Sequence, residues 1–384
     1  MKRYAAFWKA AAICAAGMAV PAHADQLQLT GTIRDFKRGD QSGGHPDFQT
    51  AGSQNKFGHV LNLVTMDLNS EGKPVYNPTR PSSKDTMQSA TKFNQWYKDD
   101  PAVNASAPLT LTLDNGLGAT KGGVYSYSTN KFFPIDGQFF GNQNCKDASG
   151  KSRNFHFTFE LHTNFTYKPG QKFTFIGDDD VWVYVNKKRV IDLGGVHSAV
   201  TGTVLLFDGK AFVTKTHFNT GGDVKVVDST MASTMASRWT TLGMTGTCPI
   251  IANDKYIDLN LNAGFSDTMA TFNGTSVTVK TIDALTSVVL KFSDGFTQTH
   301  SGLSGNSATL SGIGAHAGKT IAAATIRSGA NTTGQTHTSN GGTSINATLD
   351  FFFAERHTTE SNFRIDTSML LETVQPLTVS PLYD

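Results

Sequence analysis

The chain has 384 residues, enough to bury more than one core, so two domains is the expectation. Its 33 Lys and Arg nearly balance 31 Asp and Glu. Three of the basic residues (Lys2, Arg3, Lys9) lie in the first 24, and without that stretch 30 stand against 31, a net −1. A near-neutral chain without a basic patch gives no electrostatic case for nucleic acid or an anionic membrane surface.

In chain order, the basic start is followed by an apolar run from Ala10 to Val20 and then Ala22-His23-Ala24. This is the pattern of a signal peptide cleaved after Ala24. The run is shorter than the roughly 20 residues needed to span a bilayer, so no membrane insertion is expected. Cys14 does not mark a lipoprotein, because Ile13 precedes it where a small residue is wanted. The expected location is secreted: extracellular, on the bacterial cell surface, or periplasmic. One helix is expected near Ser83–Asp99, with Met87, Phe93, Trp96 and Tyr97 on one face and Pro101 ending it. Cys145 and Cys248 remain after the signal peptide. An oxidising compartment favours a disulfide between them over two buried thiols, and neither has a CxxC partner for redox or zinc chemistry.

Period-two alternation dominates the centre. Phe155, Phe157 and Phe159 alternate with His156, Thr158 and Glu160; Phe173 and Phe175 follow the turn Lys168-Pro169-Gly170. Val181, Val183 and Val185 alternate with Trp182, Tyr184 and Asn186, and Val181–Asn186 with Arg189–Leu193 reads as a hairpin through Lys187-Lys188. The fold class is all-β, a sandwich. After Phe207 the composition turns to Thr, Ser, Gly and Ala, with Trp239 alone among tryptophans. Within 255–330, strands are expected at Tyr256–Leu261, Ser276–Thr281, Thr286–Phe292 and Lys319–Ile326. Turns at Asn273-Gly274, Asp294-Gly295 and Ser304-Gly305 suit a small immunoglobulin-like sandwich. The polar, glycine-rich stretch 327–344 reads as a linker or long loop.

The segment NFHFTFELHTNFTYKPGQKFTFIGDDDVWVYVNKKRVIDLGGVH (Asn154–His197) closely resembles the core of the fibro-slime domain family. So do GTIRDFK (Gly31–Lys37), HPDF (His45–Phe48), FNQWYKDD (Phe93–Asp100), FFP (Phe132–Pro134) and the closing FFFAERHTTESNFRID (Phe351–Asp366). In that family the closing motif normally follows soon after the DLGGVH segment. Its distance here implies one discontinuous sandwich, 25–207 plus 346–384, with 208–345 inserted as a second β domain. Long insertions into exposed loops are tolerated because closure entropy grows slowly with length.

The resemblance further implies a variant of the protective-antigen-like β-sandwich found in yeast flocculins and bacterial adhesins. In those relatives an adjacent Asp pair joined by a cis peptide holds calcium, which coordinates sugar hydroxyls. Asp178 and Asp179 occupy that place, with Asp180 where relatives often have Gly; by the same analogy Glu360, Ser361 and Asn362 are candidates for further oxygens. Three adjacent carboxylates repel one another, and a divalent cation taking six to eight oxygens would relieve that repulsion. A polar turn alone would also account for Asp178–Asp180, since Asp bonds the backbone of its own turn.

Other constellations have simpler readings. Asp192 and His197 in DLGGVH suit a strand-end turn with a buried Asp; His156, His162 and His357 suit strand histidines better than zinc ligands; Trp182 and Tyr184 suit core filling better than a sugar-stacking platform. HExxH, GxSxG and Walker motifs are absent, and contiguous Asp residues do not form the separated carboxylate pair of a glycosidase. The expectation is a secreted, non-catalytic surface or matrix protein binding a glycan through calcium in adhesion. A structural matrix or coat protein without sugar binding is the first alternative, and a non-catalytic accessory of a polysaccharide-degrading system the second.

Overall fold

Where apolar and polar residues alternate, the chain forms strands. The computed structural model describes residues 26–49, 57–79, 87–116, 123–213, 222–259, 268–329, 331–339 and 346–372. The expected signal segment 1–24 lies outside them, as do residues 83–86 of the expected helix. In chain order the strands are β1 (Gln26–Phe36), β2 (Asn104–Asp114), β3 (Tyr125–Thr129), β4 (Phe157–Thr166), β5 (Gln171–Gly177), β6 (Asp180–Val185) and β7 (Lys188–Leu193). There follow β8 (Val200–Phe207), β9 (Lys210–Val213), β10 (Val224–Val226), β11 (Lys255–Asp258), β12 (Thr268–Asn273), β13 (Ser276–Thr281) and β14 (Leu285–Phe292). The last are β15 (Thr297–Ser301), β16 (Ser307–Ser311), β17 (Ile321–Ser328), β18 (Gln335–Thr338), β19 (Asn346–Glu355) and β20 (Phe363–Thr367).

Thirteen of these form one antiparallel ribbon in the order β10-β11-β9-β8-β5-β20-β3-β2-β1-β4-β19-β6-β7. It is joined at β2–β3 by a single residue pair, Asp114 with Ser126. The two halves face each other as a sandwich, which the aromatic contacts between them establish. Phe175 of β5 lies 5.5 Å from Phe351 of β19, and Phe363 of β20 lies 5.3 Å from Phe353, centroid to centroid. Parallel-displaced and edge-on rings at such separations stabilise beyond their area burial.

The strand β19 explains its own run of three phenylalanines. Leu349, Phe351 and Phe353 enter the inter-sheet core, while Phe352 and Ala354 point to a second layer on the opposite face. That layer comes from described residues between β1 and β2, which lay Phe48, Phe93, Trp96 and Tyr97 over Trp182, Tyr184 and Phe352. Trp182 and Tyr184 are wholly buried, so they fill core rather than stack on a ligand. The expected helix is reduced to one turn, α1 (Ala90–Phe93), capped by Ser89; packing of its aromatics against the sheet, rather than helical periodicity, sets their positions.

The expected division at residue 208 is corrected. Strands β9, β11 and β10 extend the main ribbon beyond β8, and the unforeseen helix α2 (Ser229–Thr241) packs Met235 and Trp239 against Leu205, Phe207 and Phe212. Tyr256 therefore belongs to the main sheet. The separate small sandwich begins at β12: a three-stranded sheet β12-β13-β16 packs on a four-stranded sheet β15-β14-β17-β18 through Val277, Val279, Val288, Leu290 and Ile326. The stretch 327–344 is no simple linker either, since β18 pairs Gln335–Thr338 with β17.

The expected disulfide is corrected as well: both thiols are free. Cys145 is buried with its Sγ 3.7 Å from an Arg38 nitrogen and 3.8 Å from Gln49 Oε1. Cys248 packs at the edge of the Trp239 cluster beneath α2. Separate packing holds them in different parts of the fold, whereas a bridge needs Cα atoms about 4.4–6.8 Å apart.

Candidate functional site

The acidic turn joins β5 to β6 and is clamped from both sides. Gly177 ends β5 where a Cβ would meet the Asn362 carbonyl oxygen at 2.4 Å, so only glycine lets the start of β20 approach. Asp179 takes a left-handed backbone, φ 53°. The Asp178 N–H donates to Asn362 O and the Asp179 N–H to His197 O, both at 3.3 Å. The cis peptide of the described residues is Thr358–Thr359, not Asp178–Asp179 as the resemblance implied.

Each aspartate has a different task. Asp178 Oδ2 accepts from the backbone N–H and side-chain amide of Asn362, both at 2.8 Å, while its buried Oδ1 has no hydrogen-bond partner. Asp179 Oδ2 accepts the backbone N–H groups of Arg356 and His357, at 2.8 and 3.0 Å. Asp180 is a strut: it accepts from Gly195 N–H at 2.7 Å and from Arg356 Nε at 2.6 Å, with no exposed surface. Its carboxylate is spent on these contacts, so it is corrected from candidate ligand to structural anchor. The Arg356 guanidinium in turn lies 4.8 Å over the Trp96 ring and donates to Asp47 O.

Asp178 and Asp179 border a cavity of about 260 Å³ together with Phe57, Val196, His197, Ser198 and the loop His357–Glu360. One wall is built by the DLGGVH segment. Gly195, at φ 100°, would place a Cβ 2.4 Å from Gly58 O, so a glycine is needed for segment 57–60 to lie against it. Gly58 N–H donates to Val196 O and Val60 N–H to Gly194 O, which delivers Phe57 to the rim and sets its ring 4.7 Å, edge-on, from His357. His59 and His197 meet edge-on at 5.5 Å. Asp192, wholly buried, accepts from Asn62 N–H and pairs with Arg189 at 3.2 Å.

Electrostatically the turn carries more acid than its surroundings favour. Burial pushes Asp178 up from its ordinary value, with the two Asn362 donors acting against it. Burial also pushes Asp179 up to about 7, opposed by Arg356 and reinforced by the neighbouring Asp180 charge. Behind Asp179 the fully buried Glu355 is raised well above the usual range by burial and then by Asp179, and neither of its oxygens makes a well-formed hydrogen bond. Desolvation and like charge both favour the neutral acids, and a bound cation would reverse that preference.

The structure thus gathers Asp178, Asp179 and Glu360 around one cavity edge, while Asn362 is not part of that lining and donates its side-chain amide to Asp178 Oδ2. Ser361 turns away, its hydroxyl donating to Phe132 O at 3.0 Å. Among the described residues no group of three or more His, Cys, Asp or Glu is arranged to hold a metal by itself. His156 bonds Gln49 at 2.9 Å and His162 bonds Asp350 at 2.7 Å, so the strand histidines serve separate networks. Sequence reasoning missed Phe57, Glu355 and Arg356. The charged pair Glu355-Arg356 inside an otherwise apolar strand end was the available signal; Phe57 had none.

No protein-family model matches the chain. Similar stretches occur in several Dictyostelium discoideum proteins. Protein psiR is 39% identical over 169 residues, covering 42% of this chain and 16% of psiR. Protein psiQ is 39% identical over 171 residues, covering 41% and 17%. Protein psiD is 36% identical over 190 residues, covering 48% and 36%. The match spans well under half of each relative. No helix among the described residues is long and apolar enough to cross a membrane.

Proposed function

We propose that the chain is a secreted, non-catalytic surface or matrix protein that binds a glycan through calcium at the Asp178–Asp179 turn, in adhesion. The observation that carries this reading is Asp178 Oδ1, a buried carboxylate oxygen without a partner at the edge of an open cavity. Such an atom costs free energy unless a ligand meets it. The lining suits a hard cation, since Asp178, Asp179 and Glu360 bring carboxylate oxygens to the cavity. Calcium completes its shell with backbone carbonyls, amides and water, so two carboxylates suffice as the charged share. Fibro-slime resemblance supports the same residues.

The test is a thermal melt of the purified chain in millimolar calcium and in chelator, beside Asp178→Asn/Asp179→Asn. At about 100 times Kd, calcium stabilises by about 2.7 kcal/mol, a rise of roughly 5–10 °C for a unit of this size. The double variant should melt no lower in chelator, having lost buried like charge, and should ignore calcium. Identical wild-type melts with and without calcium overturn the reading and leave a structural coat protein in its place.

A further inference from the structure

We propose that Phe57 is the stacking platform of the cavity and His357 Nε2 its hydroxyl-reading acceptor, so that the ligand is a hexopyranose presenting a C–H face to the ring. The inference deepens the calcium–glycan reading and rests on it. Phe57 is one of the few large apolar side chains left open, 44% exposed, and it stands on the rim of a polar cavity rather than on a featureless surface. Two close backbone approaches, at Gly194 and Gly195, are spent on holding its segment there. An aromatic ring held at the mouth of a polar pocket is a surface for the apolar face of an amphipathic ligand.

His357 supplies the second observation. It is 7% exposed, lines the same cavity, and its Nδ1 faces the Thr358 carbonyl oxygen. A carbonyl only accepts, so Nδ1 carries the proton and Nε2 presents a bare lone pair. That nitrogen has no partner, although it is buried. An O–H donor satisfies it; a second acceptor does not. Cavity size fits one sugar ring and its substituents, about 260 Å³. The ligand therefore needs a C–H face for Phe57, a hydroxyl donor for His357, and neighbouring hydroxyl oxygens toward Asp178 and Asp179.

The experiment measures retention of the purified chain on immobilised neoglycoproteins bearing mannose, galactose, glucose or N-acetylglucosamine, with and without calcium. Wild type, Phe57→Ala, Phe57→Trp and His357→Phe are compared, and each is also melted with calcium alone. The expected result is calcium-dependent retention on at least one sugar. Phe57→Ala should weaken it on the order of tenfold, since most of the apolar contact is lost, and Phe57→Trp should keep it. His357→Phe should also weaken it, and all variants should retain the calcium-induced melting shift. Undiminished binding by Phe57→Ala overturns this proposal alone; no retention on any sugar while the calcium shift is intact overturns it together with the glycan half of the reading beneath it. Absence of the calcium shift in wild type overturns the reading beneath it, and this proposal with it.

Discussion

Arg356→Met tests whether the acidic turn is held by one buried cation. In the native chain Arg356 is 1% exposed and Asp180 not at all, with Nε 2.6 Å from Oδ2. The same guanidinium reaches the Asp47 carbonyl and covers Trp96. Removing one partner of a buried pair leaves an uncompensated charge and costs about 3–5 kcal/mol. Here the stranded carboxylate would lie next to two further acids, Asp179 and Glu355, which places the cost at the upper end. For a unit of this size the melting temperature should fall by roughly 6–20 °C. Urea unfolding followed by Trp96 and Trp182 fluorescence measures it, because both indoles sit in the layer that Arg356 supports. Adding Asp180→Asn should recover part of the loss, so that the double variant costs at least about 1 kcal/mol less than the sum of the singles. Strict additivity, or a loss under about 1 kcal/mol for Arg356→Met, would show that Arg356 does not neutralise the turn and would refute the reasoning.

Three further outcomes are expected. Glu160 is almost buried; burial would raise its carboxyl, but His162, Arg34 and Lys73 prevail and hold it near 2, against an ordinary 4.5. That stability, on the order of 3 kcal/mol, should be present above about pH 4.5 and lost as pH falls toward 2. For His162, burial is likewise outweighed, by Asp350 and Glu160, which lift it to about 9; its contribution should be complete below about 6.5 and lost as pH rises through 9. Urea midpoints across pH should therefore peak between 4.5 and 6.5 from this network, and His162→Asn should flatten the alkaline limb. Gly195→Ala should destabilise by about 1–3 kcal/mol through its clash with Gly58 O and should loosen segment 57–60, read as faster amide exchange at Gly58 and Val60. Thiol titration of the denatured chain without reductant should count Cys145 and Cys248 as free, and reductant should leave the melt unchanged.

Local pattern revealed much of this architecture. Alternation placed β6, β7, β13, β14 and β17 within a residue or two and marked part of β4 and β5, because a half-buried strand imprints period two on its own sequence. The Asn186-Lys187 turn, both at positive φ, was visible only approximately as Lys187-Lys188. Helix α2 carried a usable signal, Met231, Met235 and Trp239 at four-residue spacing after the capping Asp228, but its Ser and Thr content masked it. The extension of the main sheet by β9 to β11 was not legible, since strands of three or four residues take their partners from tertiary packing. At the site the acidic turn stood out in the chain. Its companions did not: Arg356 reaches Asp179 across 177 residues, and no local pattern encodes such a meeting.

That long reach has a consequence for how the chain acquires its structure. Strand β19 is a central plank of the main sandwich, hydrogen-bonded to β4 on one side and β6 on the other. His162 and Asp350, which face each other across it, are 188 residues apart. The small sandwich, by contrast, closes entirely within β12 to β18. In vectorial synthesis the order of completion is therefore inverted: the later-made small sandwich can finish while the earlier-made strands still lack their middle. Until Phe351 and Phe353 arrive, β4 and β6 keep unpaired edges, and the aromatics meant to pack on those phenylalanines lack their partners. Contacts this distant in sequence make assembly slow. Strands β1 to β9 thus spend the longest time as unfinished sheet, and the last strands to emerge set the moment at which the acidic turn, held by β19 and the loop after it, comes into being.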